Sequence, residues 1–185
     1  MSNETLQKIK IGISSCLMGE EVRFDSGHKK NTYVTETLSE YFEFAPFCPE
    51  VSIGLGIPRE TIRLVTVDDE VHCVGTKSPD LDVTKELYQS ADDQKGWHAE
   101  LSGYILKKDS PSCGMERVKV YKSAEKGSMA EKSGIGLYAK RLMENFPHLP
   151  IEEEGRLSDP RLRENFIQRV YIYARWQKME HEGFT

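Results

Sequence analysis

Ile9, Ile11 and Ile13 alternate along Lys8 to Ser14, and this two-residue period predicts a buried strand. Strand-like and helix-like segments then take turns. Phe42 to Phe47 is an apolar, aromatic strand. Thr61 to Val67 and Val71 to Val74 flank Asp68-Asp69-Glu70 and predict a hairpin. Gly103 to Lys107 and Val118 to Tyr121 predict further strands, and Leu149 to Glu152 an edge strand. Helices are expected over Thr35 to Tyr41, Asp82 to Trp97 and Gly134 to Phe146. A last helix opens at Asp159-Pro160, a cap residue followed by proline, and runs to about Lys178. Gly127 to Ser133 is loop-like. Strands alternating with helices lead to an α/β fold: a mostly parallel sheet with flanking helices, a β-hairpin insertion and a C-terminal helix.

The parallel sheet gives the cysteines their meaning. The chain holds four: Cys16, Cys48, Cys73 and Cys113. Cys16 follows the first strand, Cys48 the second, and Cys113 the strand near Tyr104 to Lys107 after a short loop. Strand ends of a parallel sheet share one edge, where α/β proteins bind their ligands. Three thiols are therefore expected to converge there. Cys73 lies inside Val71-His72-Cys73-Val74, on the opposite side from His72. It reads as a small buried core residue.

The rest of the composition fits one soluble globular domain. The chain has 185 residues, 38% hydrophobic and 30% charged, with a net charge of −5. No apolar run reaches the ~20 residues of a membrane span. Met1-Ser2-Asn3-Glu4-Thr5 has no secretory pattern, so a cytoplasmic setting is expected, where disulfides are rare. The negative charge gives no general attraction to nucleic acid, so RNA as a partner is unsupported by charge.

Three converging thiols leave two inorganic centres open. Zinc with Cys16, Cys48, Cys113 and His28 is one, although the close Cys-x-x-Cys spacing of structural zinc is missing. A [4Fe-4S] cluster is the other, and with three ligands it leaves one iron open to substrate. Ser14, Ser15, Ser110, Ser112 and Gly114 beside the cysteines leave room for a ligand. Glu50, two residues from Cys48, is placed to carry a proton, against the alternative of a solvated loop acid.

Ordered motifs carry a resemblance. Cys16-Leu17-Met18-Gly19 with Val22-Arg23 and Asp25-Ser26-Gly27-His28-Lys29 is the first. Cys48-Pro49-Glu50-Val51 with Gly54-Leu55-Gly56-Ile57-Pro58-Arg59 is the second, and Ser110-Pro111-Ser112-Cys113-Gly114 the third. Together, over roughly Lys8 to Pro150, they resemble the thiouracil desulfidase family. The resemblance implies a [4Fe-4S] cluster held by Cys16, Cys48 and Cys113, with Glu50 and Ser110 as catalytic residues. It implies non-redox, hydrolytic removal of sulfur from a thiolated pyrimidine, as base, nucleoside or nucleotide, with sulfide released. Ser26 departs from the glycine found in many members. The segment from Gly155 to Phe166 resembles the junction to a helical domain in fused relatives linked to 4-thiouridine. This sets residues 1–155 as the desulfidase domain and 156–185 as a C-terminal helix, the possible start of a second domain.

Other readings compete. A non-enzymatic iron–sulfur or zinc sensing module needs the same thiols without turnover. A cysteine nucleophile paired with His28 or His98 needs no metal. Gly134-Ile135-Gly136-Leu137-Tyr138-Ala139 has a dinucleotide-site form, but its strand ends a dozen residues earlier, so the glycines read as helix-start and packing positions. Asp25, His28, Lys29 and Arg59 are candidates for framing the pocket. Glu152-Glu153-Glu154 and the arginines Arg161, Arg163, Arg169 and Arg175 read as solvated faces.

Overall fold

The computed structural model describes residues 8–183; the N-terminal pentapeptide Met1–Thr5 lies outside them. The elements run β1 (Ile9–Ser14), β2 (Phe42–Phe47), α1 (Pro49–Ser52), β3 (Ile62–Val67), β4 (Glu70–Gly75), α2 (Thr84–Asp93) and α3 (Lys95–His98). They continue with β5 (Tyr104–Leu106), β6 (Val118–Tyr121), β7 (Ala130–Gly134), α4 (Leu137–Asn145), β8 (Ile151–Glu153) and α5 (Pro160–Glu182). The α/β fold expected from the sequence is present, but as two four-stranded sheets.

The first sheet has the order β2-β1-β5-β8, and every pairing in it is parallel. The chain builds outward from β1 to β2, then returns to place β5 on the other side of β1. That reversal makes a switch point, and the crevice beyond the strand ends is the expected ligand site. Ile11, Ile13 and Ile105 fill one face with Phe166 and Val170 of α5. Tyr104 and Leu106 fill the other with Tyr138 and Leu142 of α4. Gly12 is required between them, because a Cβ there would sit 2.5 Å from the Tyr104 ring.

The second sheet has the order β4-β3-β6-β7. The predicted hairpin is its β3–β4 pair, and β6 joins β3 in parallel. Residues 127–133 were expected as loop. In the structure Ala130–Gly134 pairs antiparallel with β6. Four of its five residues are exposed, so this edge strand carries no apolar alternation to reveal it. The helix expected from Gly134 starts at Leu137, because Gly134 still belongs to β7. The segment expected as a helix over Thr35 to Tyr41 is helical but not α-helical, a π-helical turn at Tyr33–Thr37 followed by a 3-10 turn at Leu38–Glu40.

Asp159 caps α5 as predicted, its Oδ1 accepting from Arg161 N at 2.8 Å and Leu162 N at 3.3 Å. The helix packs back onto the first sheet through Phe166 and Val170, both 0% exposed. No helix among the described residues is long and apolar enough to cross a membrane.

His98 is buried against this core, with Nε2 2.7 Å from the Tyr138 hydroxyl and Nδ1 without a partner among the described residues. Burial holds its pKa down at about 4, from the ordinary 6.5. An unfolded chain therefore takes up a proton below pH 6.5 that the folded chain refuses until about pH 4. Stability falls across that window, by roughly 3 kcal/mol at most. Urea unfolding at pH 7 and 4.5 is expected to show this loss, and His98→Asn is expected to shrink it. An equal pH dependence in both proteins would contradict the assignment.

Candidate active site

Three local structures deliver three cysteines to the edge of the first sheet. Cys16 sits in a 3-10 turn, Ser15–Met18, that begins where β1 ends. Its carbonyl accepts Lys29 N at 2.8 Å, which folds the polar loop back over it. Cys48 follows β2 and stands at the N-cap of α1, where the backbone N–H groups of Val51 and Glu50 oppose the rise in its pKa that burial causes. Cys113 lies in the loop after β5, its N–H donating to Ser110 Oγ at 3.1 Å.

That loop is seated on the start of α4. Leu137 N and Ala139 N donate to the carbonyls of Pro111 and Ser112 at 3.0 and 3.1 Å. A Cβ on Gly136 would lie 2.5 Å from the Ser112 carbonyl carbon, so only glycine permits this approach. The glycines of residues 134–139 thus serve packing, as the sequence reading held.

All three cysteines line one cavity of about 300 Å³, together with Glu50, Ser110 and Ser112. None of the four cysteines is in a disulfide. Burial pushes the Cys16 thiol up to about 11, against the lowering pull of Arg23 and Lys107. Burial likewise raises Cys48 and Cys113, and Cys48 adds like-charge repulsion at both neighbours. The bare thiols are protonated near neutrality, so a metal centre must displace their protons on binding. Cys73 is 0% exposed in the core between the second sheet and α2, outside the cavity.

The donor set discriminates between the two inorganic centres. No three His, Cys, Asp or Glu side chains among the described residues are gathered closely enough to hold a single metal ion. His28 is exposed, its Nδ1 accepts Lys30 N at 3.1 Å, and it does not line the cavity. A tetrahedral zinc site with His28 as fourth ligand is not formed. Three thiols spread around one cavity suit a cluster, whose cysteines each bind a different iron.

Glu50 is the best-held polar group in the cavity. Arg59 donates to its Oε2 from Nε at 3.1 Å and from Nη2 at 2.8 Å. Ser112 Oγ donates to its Oε1 at 2.7 Å. Ser110 Oγ lies 2.9 Å from Ser112 Oγ. Glu50 is therefore not a solvated loop acid. Of the other pocket-framing candidates, Lys29 and Arg59 line the cavity and Asp25 does not. Asp25 instead accepts Gly27 N at 3.1 Å and closes its own turn.

The acidic run is a correction to the sequence reading. Glu152 and Glu153 are 4% and 6% exposed. Glu153 accepts Met115 N at 2.8 Å and so fastens the chain just past Cys113; burial raises its pKa. Glu154 binds Lys107 Nζ at 2.5 Å and Lys108 N at 2.8 Å. These carboxylates end an edge strand tucked beneath the cysteine loop, a placement set by the β5–β8 register of Leu106 with Glu153.

An α/β domain that gathers three soft thiols beside a carboxylate and two hydroxyls, at the switch point of a parallel sheet, has the make-up of an enzyme built around a cysteine-held metal centre. The family model of 2-thiouracil desulfurase matches residues 11–154, and the chain belongs to that family. Its fold matches that of the [4Fe-4S]-dependent thiouracil desulfidase TudS at a TM-score of 0.66 and 27% sequence identity, over 87% of this chain and 99% of that one. It is also 29% identical to the uncharacterized protein YbbK of Bacillus subtilis (strain 168) over 129 residues, 66% of this chain and 83% of YbbK.

Proposed function

We propose that this chain is a desulfidase that converts the C=S group of a thiolated pyrimidine to C=O and releases sulfide. Cys16, Cys48 and Cys113 would hold a [4Fe-4S] cluster. The observation that carries the reading is that these thiols share one cavity with Glu50 and Ser110, in a member of the 2-thiouracil desulfurase family. Bound there, the cluster would supply a Lewis acid with a preference for sulfur, which would make the C=S carbon electrophilic. Glu50 accepts the proton of the attacking water and Ser110 orients the ring and that water. Water adds its oxygen to carbon and sulfur leaves as sulfide carrying the protons, so no electrons are exchanged.

The substrate class covers thiouracil and the 4-thiouridine type, as base, nucleoside or nucleotide. Residues 1–155 form the unit that carries this chemistry, and residues 156–185 add the C-terminal helix. The test is anaerobic loading with iron and sulfide, followed by incubation with 2-thiouracil, 4-thiouracil and 4-thiouridine. The expected result is a brown protein that yields the oxo-pyrimidine and one equivalent of sulfide from at least one of them. Full cluster content with no turnover on any thiolated pyrimidine would overturn the reading and favour a non-enzymatic iron–sulfur module.

A further inference from the structure

We propose that Ser112, buried behind the two expected catalytic side chains, is a positioning residue that joins Ser110 to Glu50 in one directed proton relay. The proposal rests on the desulfidase reading above. Its direction follows from counting donors. Ser112 Oγ donates its single proton to Glu50 Oε1 at 2.7 Å. At 2.9 Å from Ser110 Oγ it must then act as acceptor, so the Ser110 proton points at Ser112. Ser110 Oγ in turn accepts two backbone donors, Ser112 N at 3.3 Å and Cys113 N at 3.1 Å. Those donors stabilise negative charge on Ser110 Oγ as its proton leaves.

The order is therefore fixed: Ser110 to Ser112 to Glu50, with Arg59 anchoring the far oxygen of the carboxylate. As water adds to the ring carbon, its proton takes the place of the longer N–H donor on Ser110 Oγ, that of Ser112 at 3.3 Å, and Ser110 passes its own proton to Ser112. Ser112 passes its own to Glu50. One proton has then moved from water to Glu50 and both serines are restored. Glu50 returns it along the same path to the departing sulfide, and the second water proton leaves with that sulfide as the C–OH adduct collapses to C=O, so the cycle closes without another reactant.

The surroundings hold Ser112 for this task. It is 1% exposed. Its carbonyl is bound by Ala139 N, and its backbone rests on Gly136. Its hydroxyl also meets Cys113 Sγ, at the longer distance of 3.6 Å, and burial leaves it no solvent alternative to these partners.

The experiment compares wild-type protein, Ser110→Ala, Ser112→Ala and the double variant, each anaerobically loaded and assayed for iron and sulfide. Ser112→Ala is expected to keep its cluster and its KM and to lose at least about 100-fold in kcat. Members of one relay are not additive, so the double variant is expected within about twofold of Ser110→Ala. In cluster-free protein, Ser112→Ala is expected to shift the infrared carboxylate band assigned to Glu50, a readout independent of turnover. A Ser112→Ala kcat within threefold of wild type overturns the relay, as do multiplicative losses in the double variant. Loss of the cluster in Ser112→Ala assigns the hydroxyl to holding Cys113 and also overturns it. Inactive wild-type protein with a full cluster is a different failure, because it removes the desulfidase reading itself.

Discussion

Cys113→Ala is expected to lose the cluster and reduce turnover to the background rate, while the protein stays folded. Cys113 is 5% exposed and lines the cavity, with its loop held by Ser110 Oγ, by the start of α4 and by Glu153. None of those restraints uses the sulfur. Removing the sulfur costs about 1 kcal/mol of buried contact, which the domain tolerates. Two thiols cannot hold a cluster that needs cysteine at three of its irons, so cofactor loss far exceeds the change in fold stability. The control is Cys73→Ala, which removes an equally buried thiol from the core of the second sheet. It is expected to cost similar stability and leave iron content and turnover at wild-type values. Thermal melts and anaerobic iron and sulfide assays separate the two variants. Full cluster content in Cys113→Ala would remove that residue from the ligand set.

What the sequence made legible was local, and what it hid depended on distant partners. The alternating isoleucines of β1, the aromatic run of β2 and the Asp159-Pro160 cap all encode their structure within a few residues. The placement of three cysteines at strand ends followed from that, because parallel strands share an edge whatever their order. β7 was hidden because Ala130-Glu131-Lys132-Ser133 pairs at an exposed edge with no buried face. Glu153 looked like a solvent residue because charged runs usually are. Its burial is decided by pairing with β5 and by Met115 N, 38 positions away. Ser112 was visible only as a small polar residue beside a cysteine. Its partner Glu50 is 62 positions distant, and no local pattern specifies that hydrogen bond.

Glu50→Gln is expected to retain the cluster and fall by roughly 10²–10⁴-fold in kcat, with little change in KM. Glutamine keeps the length of the side chain and can still meet Arg59 and Ser112, but it cannot accept and return a proton. The choice of variant matters because Arg59 is 7% exposed at its side chain and Glu50 is its partner at 2.8 Å. Glu50→Ala leaves that guanidinium buried without a counter-charge, a loss of about 3–5 kcal/mol that mixes misfolding with chemistry. It also strips Ser112 of its acceptor. Glu50→Gln also removes the charge but keeps an oxygen for Arg59 and an amide for Ser112, so it disturbs the site less than Glu50→Ala, and a loss of turnover in cluster-replete protein reports on proton transfer. Iron and sulfide content and the absorption spectrum should match wild type, and the thermal midpoint should fall less than in Glu50→Ala. Wild-type kcat in Glu50→Gln would move the base elsewhere and leave Glu50 as a strut for Arg59. Loss of the cluster would instead place the carboxylate in the support of Cys48.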